Sequence, residues 1–254
     1  MSEILNTQLL VIGGGLAGFA AALSAAEAGL DVLLLEKTAA TGGSSAMSGG
    51  CLAFAGTDLQ NERGIEDSSE LLLRDLIEVG KGECDEAIVR AYTDHQLATY
   101  EWLKAHGVVF QPVIETASGQ SVPRVHNVDP ADMVRQLELA ALNTGKVEVL
   151  RNTRARRLLR SAAGRVVGVS AERDGQPLDG QPLEVRAARG VILACGGFVH
   201  DRELIHRFAP LYDNAVFIGG EGNEGDGLRM AWALGADVRD MVHIKGTFGK
   251  HPMD

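Results

Sequence analysis

Residues 8–37 read QLLVIGGGLAGFAAALSAAEAGLDVLLLEK, and this stretch decides the fold. Residues 9–12 are a short apolar run that is typical of a buried parallel strand. Gly13, Gly15 and Gly18 follow in G-x-G-x-x-G spacing. The first glycine permits a tight turn, the second lets the backbone approach a pyrophosphate, and the third lets a helix pack closely on the strand. The stretch therefore predicts a strand, a phosphate-binding turn and a helix.

The second half of the same stretch predicts that helix, a second strand and a ribose-binding acid. Residues 16–28 are alanine-rich and free of proline, and Gly29 is placed to end the helix. The helix N-terminus would present free N–H groups to a phosphate. Residues 32–35 are the second strand, and Glu36 at its end can accept hydrogen bonds from the hydroxyls of an adenosine ribose. A glycine-rich turn in another α/β protein is the alternative, but the order of these features favours a dinucleotide site.

The composition limits the classes of partner. The chain has 254 residues, of which 45% are hydrophobic, and a net charge of −10, which suits an α/β protein of one large or two small domains. The acidic balance argues against a nucleic-acid binder. No apolar run approaches the roughly 20 residues of a membrane span. Five arginines are interpreted as a solvated strand edge, with a docking patch as the alternative: Arg151, Arg154, Arg156, Arg157 and Arg160.

The cysteines indicate a reducing compartment. Cys51, Cys84 and Cys195 are scattered and form no C-x-x-C pair, so neither a disulfide framework nor a zinc site is expected. No segment has the pattern of a cleavable signal. The sequence therefore predicts a cytoplasmic protein with no bound metal.

A glycine- and serine-rich loop follows Glu36, with the sequence TAATGGSSAMSGG over residues 38–50. Its N–H and hydroxyl groups suit a second phosphate or the edge of a flavin ring. A plain linker is the alternative, and the neighbouring nucleotide motif favours binding.

The rest of the chain reads as a mixture of helices and strands. Helices are expected over residues 67–80, 85–106, 129–142, 201–208 and 226–234. Strands are expected over residues 108–113, 147–150, 154–161, 165–171, 183–187 and 190–194. The strands between residues 154 and 187 would form a small antiparallel unit. This insert and the loop after Glu36 favour FAD over a nicotinamide cofactor, whose domain would continue with regular β-α spacing.

Four blocks of the sequence, in order, resemble one known family. The blocks are VIGGGLAGFAAALSAAEAGLDVLLLEK, TGGSSAMSGG, GVILACGGF and EGDGLRMAWALGAD. They resemble the flavoproteins of the fumarate reductase and succinate dehydrogenase class, nearest to its soluble fumarate-reductase-like and 3-ketosteroid-dehydrogenase-like branch. The resemblance implies an α/β, Rossmann-like FAD-binding fold, with a parallel sheet, a small antiparallel insert, and neither the capping domain nor the C-terminal return segment.

The resemblance also implies which residues contact FAD. They are Gly13, Gly15, Leu16, Ala17 and Gly18 at the pyrophosphate, Glu36 and Lys37 at the ribose, Gly42, Gly43, Ser44 and Ser45 along the phosphates and ribityl chain, Ser48, Gly49 and Gly50 at the flavin ring, Thr153, Arg154 and Ala155 near the adenine, Ala194, Gly196 and Gly197 on the pyrophosphate side, and Asp226 near the cofactor.

The sequence departs from the family pattern in two ways. Family members that attach flavin covalently use a histidine in the loop before the Gly-Gly pair, and Gly43 occupies that position here. FAD is therefore expected to bind noncovalently. The chain also stops near the expected start of a substrate-capping domain. We interpret residues 1–254 as an incomplete FAD-binding domain, residues 237–254 as the start of a connection, and a second chain carrying the cap as a possible partner.

The resemblance implies an oxidoreductase that exchanges a hydride between FAD and a carbon–carbon bond next to a carbonyl or carboxylate of a small-molecule substrate. The catalytic acid or base is not assigned. No partner spacing supports the role of catalytic acid or base for any of the candidate residues, which are His126, His243, His251 and Tyr212. A non-catalytic flavin-binding fragment, active only with a second chain, is the alternative function.

Overall fold

The computed structural model describes residues 3–173 and 183–243. The strands are β1 (Ile4–Ile12), β2 (Val32–Leu35), β3 (Cys51–Ala53), β4 (Ile114–Glu115), β5 (Val125–Asn127), β6 (Val147–Leu150), β7 (Thr153–Arg160), β8 (Val166–Arg173) and β9 (Leu183–Leu193). The helices are α1 (Leu16–Glu27), α2 (Gly43–Ala46), α3 (Asp58–Asn61), α4 (Ser69–Val79), α5 (Glu86–Ala105), α6 (Pro130–Asn143), α7 (Arg202–Phe208) and α8 (Asp226–Trp232).

The chain divides into two units. The first comprises the described residues of Met1–Met47 and Glu138–Asp254, and the second comprises Ser48–Leu137. The connection predicted over residues 237–254 lies largely outside the described residues. None of the helices in the described part of the chain combines the length and apolarity that crossing a membrane requires.

The first unit is organised by a six-stranded sheet with the order β6-β2-β1-β9-β8-β7. The neighbours β6, β2, β1 and β9 are parallel, whereas β9, β8 and β7 pair antiparallel. All four residues of β2 are buried, as expected for a parallel strand that is covered on both faces. The predicted parallel sheet with a small antiparallel insert is therefore confirmed.

One strand is longer than the sequence predicts. The separate strands expected over residues 183–187 and 190–194 are a single strand, β9. The N-terminal half of β9 pairs with β8, and β9 pairs with β1 on both sides of a register shift between Thr7 and Leu9. Pairing with β1 resumes at Gly190 after this irregularity, so the strand runs on past the polar Arg189, where the local pattern indicated a break.

Both faces of the sheet in the first unit contribute to the core. Phe19, Leu23 and three small residues of α1 are buried, and the small side chains let the helix approach closely. Met230 of α8 packs into a cluster with apolar residues of several strands, including Leu10, Val169 and Val185. The hydrophobic effect therefore holds the parallel strands, the antiparallel insert and α8 together in this unit.

The second unit combines a three-stranded antiparallel sheet, in the order β3-β5-β4, with helices α3, α4 and α5. Phe54, Tyr100 and Phe110 surround the ring of His126, with centroid distances of 5.6, 5.4 and 6.2 Å respectively. The strand predicted over residues 108–113 is not formed. Pro112 interrupts that segment, and Val109 and Val113 are exposed, so its apolar residues do not form one buried face.

Candidate cofactor site

The candidate site lies where three parallel strands of the first unit end together. Ile12 of β1 pairs with Leu35 of β2 on one side and with Leu193 of β9 on the other. The backbone pairing continues one residue further, because Gly13 N–H donates to Leu35 O and Ala194 N–H donates to Ile12 O, both at 2.8 Å. The carboxyl edge of a parallel sheet is where α/β proteins bind ligands, so the predicted residues that follow these strands share one crevice.

Two of the fingerprint glycines are required by the packing of the protein itself. A Cβ at Gly18 would stand 1.9 Å from the carbonyl oxygen of Gly13. Gly13 has φ +111°, and a Cβ there would stand 2.3 Å from the carbonyl oxygen of Ala194. Neither clash can be relieved by rotating a side chain, because the obstructing atoms belong to the backbone. These glycines bring the turn against α1 and β9.

Gly15 differs, because no backbone atom of the described residues stands close enough to require a glycine there. Its φ of −88° is open to any residue. The nearest atoms to an added Cβ would be the rotatable Ser45 hydroxyl oxygen, at 3.3 Å, and Gly42 O, at 3.7 Å. Leu16 N–H, the first of α1, donates to that hydroxyl at 3.2 Å. The N–H groups of Ala17 and Gly18 belong to the same first turn, which leaves its donors free of intrahelical partners. The donors of this turn fit a phosphate.

Glu36 is buried, with 9% of its surface exposed, and its carboxylate is held in place by backbone donors. Gly14 N–H donates to Oε2 at 2.8 Å. Thr38 donates to Oε1 through its N–H at 2.8 Å and its hydroxyl at 2.9 Å. A carboxylate oxygen accepts about two hydrogen bonds, so Oε2 retains an acceptor position for a ribose hydroxyl.

The glycine-serine loop folds back along the fingerprint turn. Gly42 N–H donates to Gly14 O at 2.8 Å, and Gly42 has φ +113°, a conformation that favours glycine. The hydroxyl oxygen of Ser44 accepts hydrogen bonds from Gly220 N–H and from Asn223 Nδ2, both at 2.9 Å. Both acceptor positions of Ser44 are therefore used, and its hydroxyl hydrogen is available to donate to an anion.

The segment of residues 219–227, with the sequence GGEGNEGDG, packs directly on this loop and on β9. A Cβ at Gly220 would stand 2.6 Å from Ser44 N, and one at Gly227 would stand 2.9 Å from Cys195 Sγ. Position 220 needs glycine because two backbones come into contact, and position 227 because its backbone packs on the Cys195 side chain. Only Asp226 of this segment was predicted from the sequence. Gly220, Asn223 and Glu224 were not predicted, and the density of glycines was the available signal for them.

Four charged side chains, here called the charge cluster, connect this segment to the ends of β2 and β7: Lys37, Arg154, Glu224 and Asp226. Lys37 Nζ lies 2.9 Å from Glu224 Oε2 and 2.8 Å from Asp226 Oδ2. Arg154 Nη2 lies 3.0 Å from Glu224 Oε2 and 2.6 Å from Asp226 Oδ1. Burial alone would raise the pKa of Asp226, but hydrogen bonds from Lys37 and Arg154 outweigh it and lower that pKa. The hydrogen bond from Lys37 lowers the pKa of Glu224.

Two buried polar atoms of this region have no hydrogen-bond partner among the described residues. They are Arg154 Nε and Asn223 Oδ1. A buried polar atom without a partner costs about 1–3 kcal/mol of stability. A ligand with acceptor and donor groups would remove that cost, so the residues present fit a polar dinucleotide such as FAD.

The turn after β9 lies beside the same segment. Gly196 has φ +70°, and Gly197 O accepts a hydrogen bond from Gly225 N–H at 3.0 Å. Burial raises the pKa of the Cys195 thiol to about 12, so this thiol stays protonated at neutral pH and is no nucleophile. The start of β7 is also close, since Thr153 N–H donates to Glu36 O at 2.9 Å. Ala155, two residues further along β7, is buried.

The remaining predicted flavin contacts belong to the second unit. Gly50 has φ +69°, and a Cβ there would stand 2.1 Å from Val128 O. Gly50 N–H donates to the Ser48 hydroxyl at 3.3 Å. This backbone packing accounts for the glycine at position 50, and contact of Ser48, Gly49 and Gly50 with flavin stays a prediction.

His126 is a structural residue of the second unit. Its Nδ1 lies 2.9 Å from Arg124 O, which can only accept, so Nδ1 carries the proton and Nε2 accepts from the Thr57 hydroxyl at 2.8 Å. Burial lowers the pKa of His126. His251 lies outside the described residues. Within residues 3–173 and 183–243, no three or more His, Cys, Asp or Glu side chains are grouped to hold a metal ion.

Comparison with known proteins decides the family. The model of the FAD binding domain family matches residues 8–246. The chain belongs to this family. The match covers the fingerprint turn, the glycine-serine loop, β9 and the 219–227 segment, and it confirms the cofactor class that the sequence blocks predicted.

Individual FAD-binding relatives place the chain in the branch that the resemblance implied. A urocanate reductase from Eggerthella lenta is 34% identical over 245 residues, covering 94% of this chain and 40% of that protein. The open conformation of a flavocytochrome c3 fumarate reductase has a TM-score of 0.85 at 28% identity, covering 92% and 41%. The 3-ketosteroid-Δ4-(5α)-dehydrogenase from Rhodococcus jostii RHA1 has a TM-score of 0.84 at 30% identity, covering 93% and 55%. This FAD-binding chain thus spans about half the length of the relatives it matches.

Proposed function

We propose that this FAD-binding chain holds FAD noncovalently along the carboxyl edge of the first unit's parallel sheet. The observation that carries the proposal is the N-terminus of α1 at Gly15, where an added Cβ would come no closer than 3.7 Å to a backbone atom of the described residues, unlike at Gly13 and Gly18. Absence of a histidine between Lys37 and Cys51 supports noncovalent attachment.

Each group of the site has a separate proposed task. The N-terminus of α1, with Ser44 and Ser45, would bind the pyrophosphate through N–H and hydroxyl donors. Glu36 would accept from the ribose, and Arg154 and Ala155 would border the adenine. Ala194, Gly196 and Gly197 would line the pyrophosphate side. When bound, FAD supplies the capacity to accept or donate a hydride.

We infer further that the whole protein is an oxidoreductase acting on a carbon–carbon bond next to a carbonyl or carboxylate of a small molecule. Support comes from the relatives, which are reductases and dehydrogenases by name. No catalytic acid or base is assigned within residues 3–173 and 183–243. His126 is buried and hydrogen-bonded to Arg124 and Thr57. A second chain that carries a substrate cap is the proposed partner.

The alternative is a flavin-binding chain without activity of its own. The support for this alternative is that the chain covers only 40% of the urocanate reductase and 55% of the ketosteroid dehydrogenase. Turnover of an artificial electron acceptor by the isolated chain, with a candidate enoate substrate, would exclude this alternative. Turnover only after addition of a second chain would support it.

The experiment that tests FAD binding is an absorption spectrum of the purified chain, followed by acid precipitation. We expect a flavin spectrum, with the flavin released into the supernatant. Gly15→Leu is the matched variant, because its side chain would fill the proposed phosphate space while the rest of the turn is unchanged. Protein that stays colourless after incubation with FAD would contradict the proposal.

A further inference from the structure

The proposed adenosine end of the site is built from three segments that are far apart in the sequence. They are residues 36–38, residues 152–155 and residues 222–226. Backbone hydrogen bonds join the first two, since Thr153 N–H donates to Glu36 O and Asn152 N–H donates to Thr38 O. Side-chain contacts with the third segment come from the charge cluster, which links Lys37 and Arg154 to Glu224 and Asp226.

Glu224 contributes to this cluster from a half-exposed position. Its carboxylate oxygen Oε2 lies between two cations, 2.9 Å from Lys37 Nζ and 3.0 Å from Arg154 Nη2. Asp226 contacts the same two cations with its separate oxygens. With two carboxylates facing two cations, the cluster is neutral, and its arrangement fixes how closely residues 222–226 approach Lys37 and Arg154.

The guanidinium of Arg154 adds an independent observation. Its Nη2 group faces the two carboxylates, whereas its Nε is buried and has no partner among the described residues. The five donors of a guanidinium have fixed relative directions, so anchoring Nη2 also fixes the direction of the Nε–H bond. A buried donor held in this way fits an acceptor atom on a ligand.

We propose that Glu224 is a positioning residue for the adenosine half of the cofactor, acting through Lys37 and Arg154, and that Arg154 Nε–H donates to an acceptor on that half. The inference rests on the proposed FAD binding. It assigns a role to Glu224, which the fingerprint does not contain, and a side-chain contact to Arg154, for which the resemblance implied backbone contacts.

The test uses the 254-residue chain and three probes: FAD, ADP as the adenosine half, and FMN as the flavin half. Glu224→Gln keeps the shape and removes the charge. We expect this variant to lower the affinity for FAD and for ADP about tenfold, which corresponds to about 1.4 kcal/mol of binding free energy. The affinity for FMN should be unchanged. Equal weakening of all three probes, or no change in FAD and ADP, would overturn the proposal.

Two further variants separate positioning from other effects. Glu184→Gln makes the same charge change at a carboxylate of β9 that pairs with the exposed Arg186, 3.1 Å away, and is expected to change no affinity. Arg154→Lys keeps a cation opposite the carboxylates but has no Nε–H. We expect this variant to lower the affinity for FAD and ADP as well. Unchanged affinity would contradict the proposed contact from Arg154.

Hydrogen exchange of the ligand-free chain gives a readout that does not depend on cofactor. Peptides covering residues 219–227 are expected to exchange faster in Glu224→Gln than in the wild type or in Glu184→Gln. Unchanged exchange would show that Glu224 does not hold the segment. A wild-type chain that binds no FAD would overturn the proposed function instead, and the exchange data would still decide the role of Glu224.

Discussion

Gly18 lies so close to Gly13 that a Cβ at position 18 would stand 1.9 Å from the Gly13 carbonyl oxygen. At Gly15, by contrast, the nearest atom to an added Cβ is the rotatable Ser45 hydroxyl, 3.3 Å away. Two glycines of one fingerprint therefore serve different purposes. Gly18 permits helix α1 to pack on the turn, whereas backbone packing does not require Gly15, which we propose faces the ligand.

This difference predicts opposite results for two alanine variants. Gly18→Ala should lower the free energy of unfolding by about 3 kcal/mol or more, because backbone atoms must move to admit the methyl group. Gly15→Ala should change it by less than about 1 kcal/mol and should weaken FAD binding. Urea unfolding and FAD titration measure the two effects. Equal loss of stability in both variants would contradict the assignment of Gly15 to the ligand.

Replacing Glu36 should affect both the turn and the cofactor. Glu36→Gln puts an amide group where one carboxylate oxygen accepts from Gly14 N–H or from Thr38. We expect a loss of about 1–3 kcal/mol of stability, because one backbone N–H loses its acceptor. FAD affinity should fall as well, since the proposed ribose acceptor is changed. Glu184→Gln is the control. An unchanged free energy of unfolding in Glu36→Gln would contradict the stabilising role of these hydrogen bonds.

The charge cluster predicts a defined pH dependence of stability. Asp226 and Glu224 both have a lowered pKa in the folded chain. The unfolded chain therefore binds protons first as the pH falls, and the stabilisation from these carboxylates is present at neutral pH and lost on acidification below about pH 5. As the pH falls from neutral to acidic, the free energy of unfolding measured with urea should decline less steeply in the double variant Glu224→Gln, Asp226→Asn than in the wild type. Parallel curves for variant and wild type would contradict this account.

A buried ion pair in the second unit predicts a large stability loss. The fully buried Arg124 forms a bidentate pair with Asp67, at 2.8 and 2.9 Å, and also contacts Asp75. Arg124→Met should cost about 3–5 kcal/mol, because it leaves buried carboxylates without a cation. Arg135→Met, which removes an exposed pair with Asp132, should cost less than about 1 kcal/mol. Thermal or urea unfolding of both variants measures the difference, and similar small losses would show that Arg124 is not the counterion these carboxylates need.

The local part of the fold could be predicted from the sequence because its signals lie within a few residues of each other. The strand over residues 32–35 has the predicted bounds, and α1 differs from its prediction by one residue at its C-terminus. Buried strands, glycine turns and alanine-rich helices each have a short-range pattern. The fingerprint spacing is of the same kind, so it predicts Gly13, Gly15, Gly18 and Glu36 at one edge of a sheet.

The long-range part could not be predicted in this way. The continuity of β9 depends on its pairing with β1, and the roles of Asn223 and Glu224 depend on contacts with Ser44 and Lys37 more than 170 residues earlier. No local pattern records which loops meet at the carboxyl edge of a sheet. Similarly, the sequence showed no partner spacing for His126, and only the tertiary structure shows that this residue is buried among aromatic rings, where burial lowers its pKa.

The sequence by itself thus determined that this chain forms a parallel sheet with a dinucleotide fingerprint, since periodicity and glycine spacing act through neighbouring residues. Only the tertiary structure decided which glycines the backbone packing requires, which charges meet at the ends of β2 and β7, and which polar atoms of the described residues stay without partners. Those properties arise when distant segments come into contact and exclude water, so they depend on packing and not on the order of neighbouring residues.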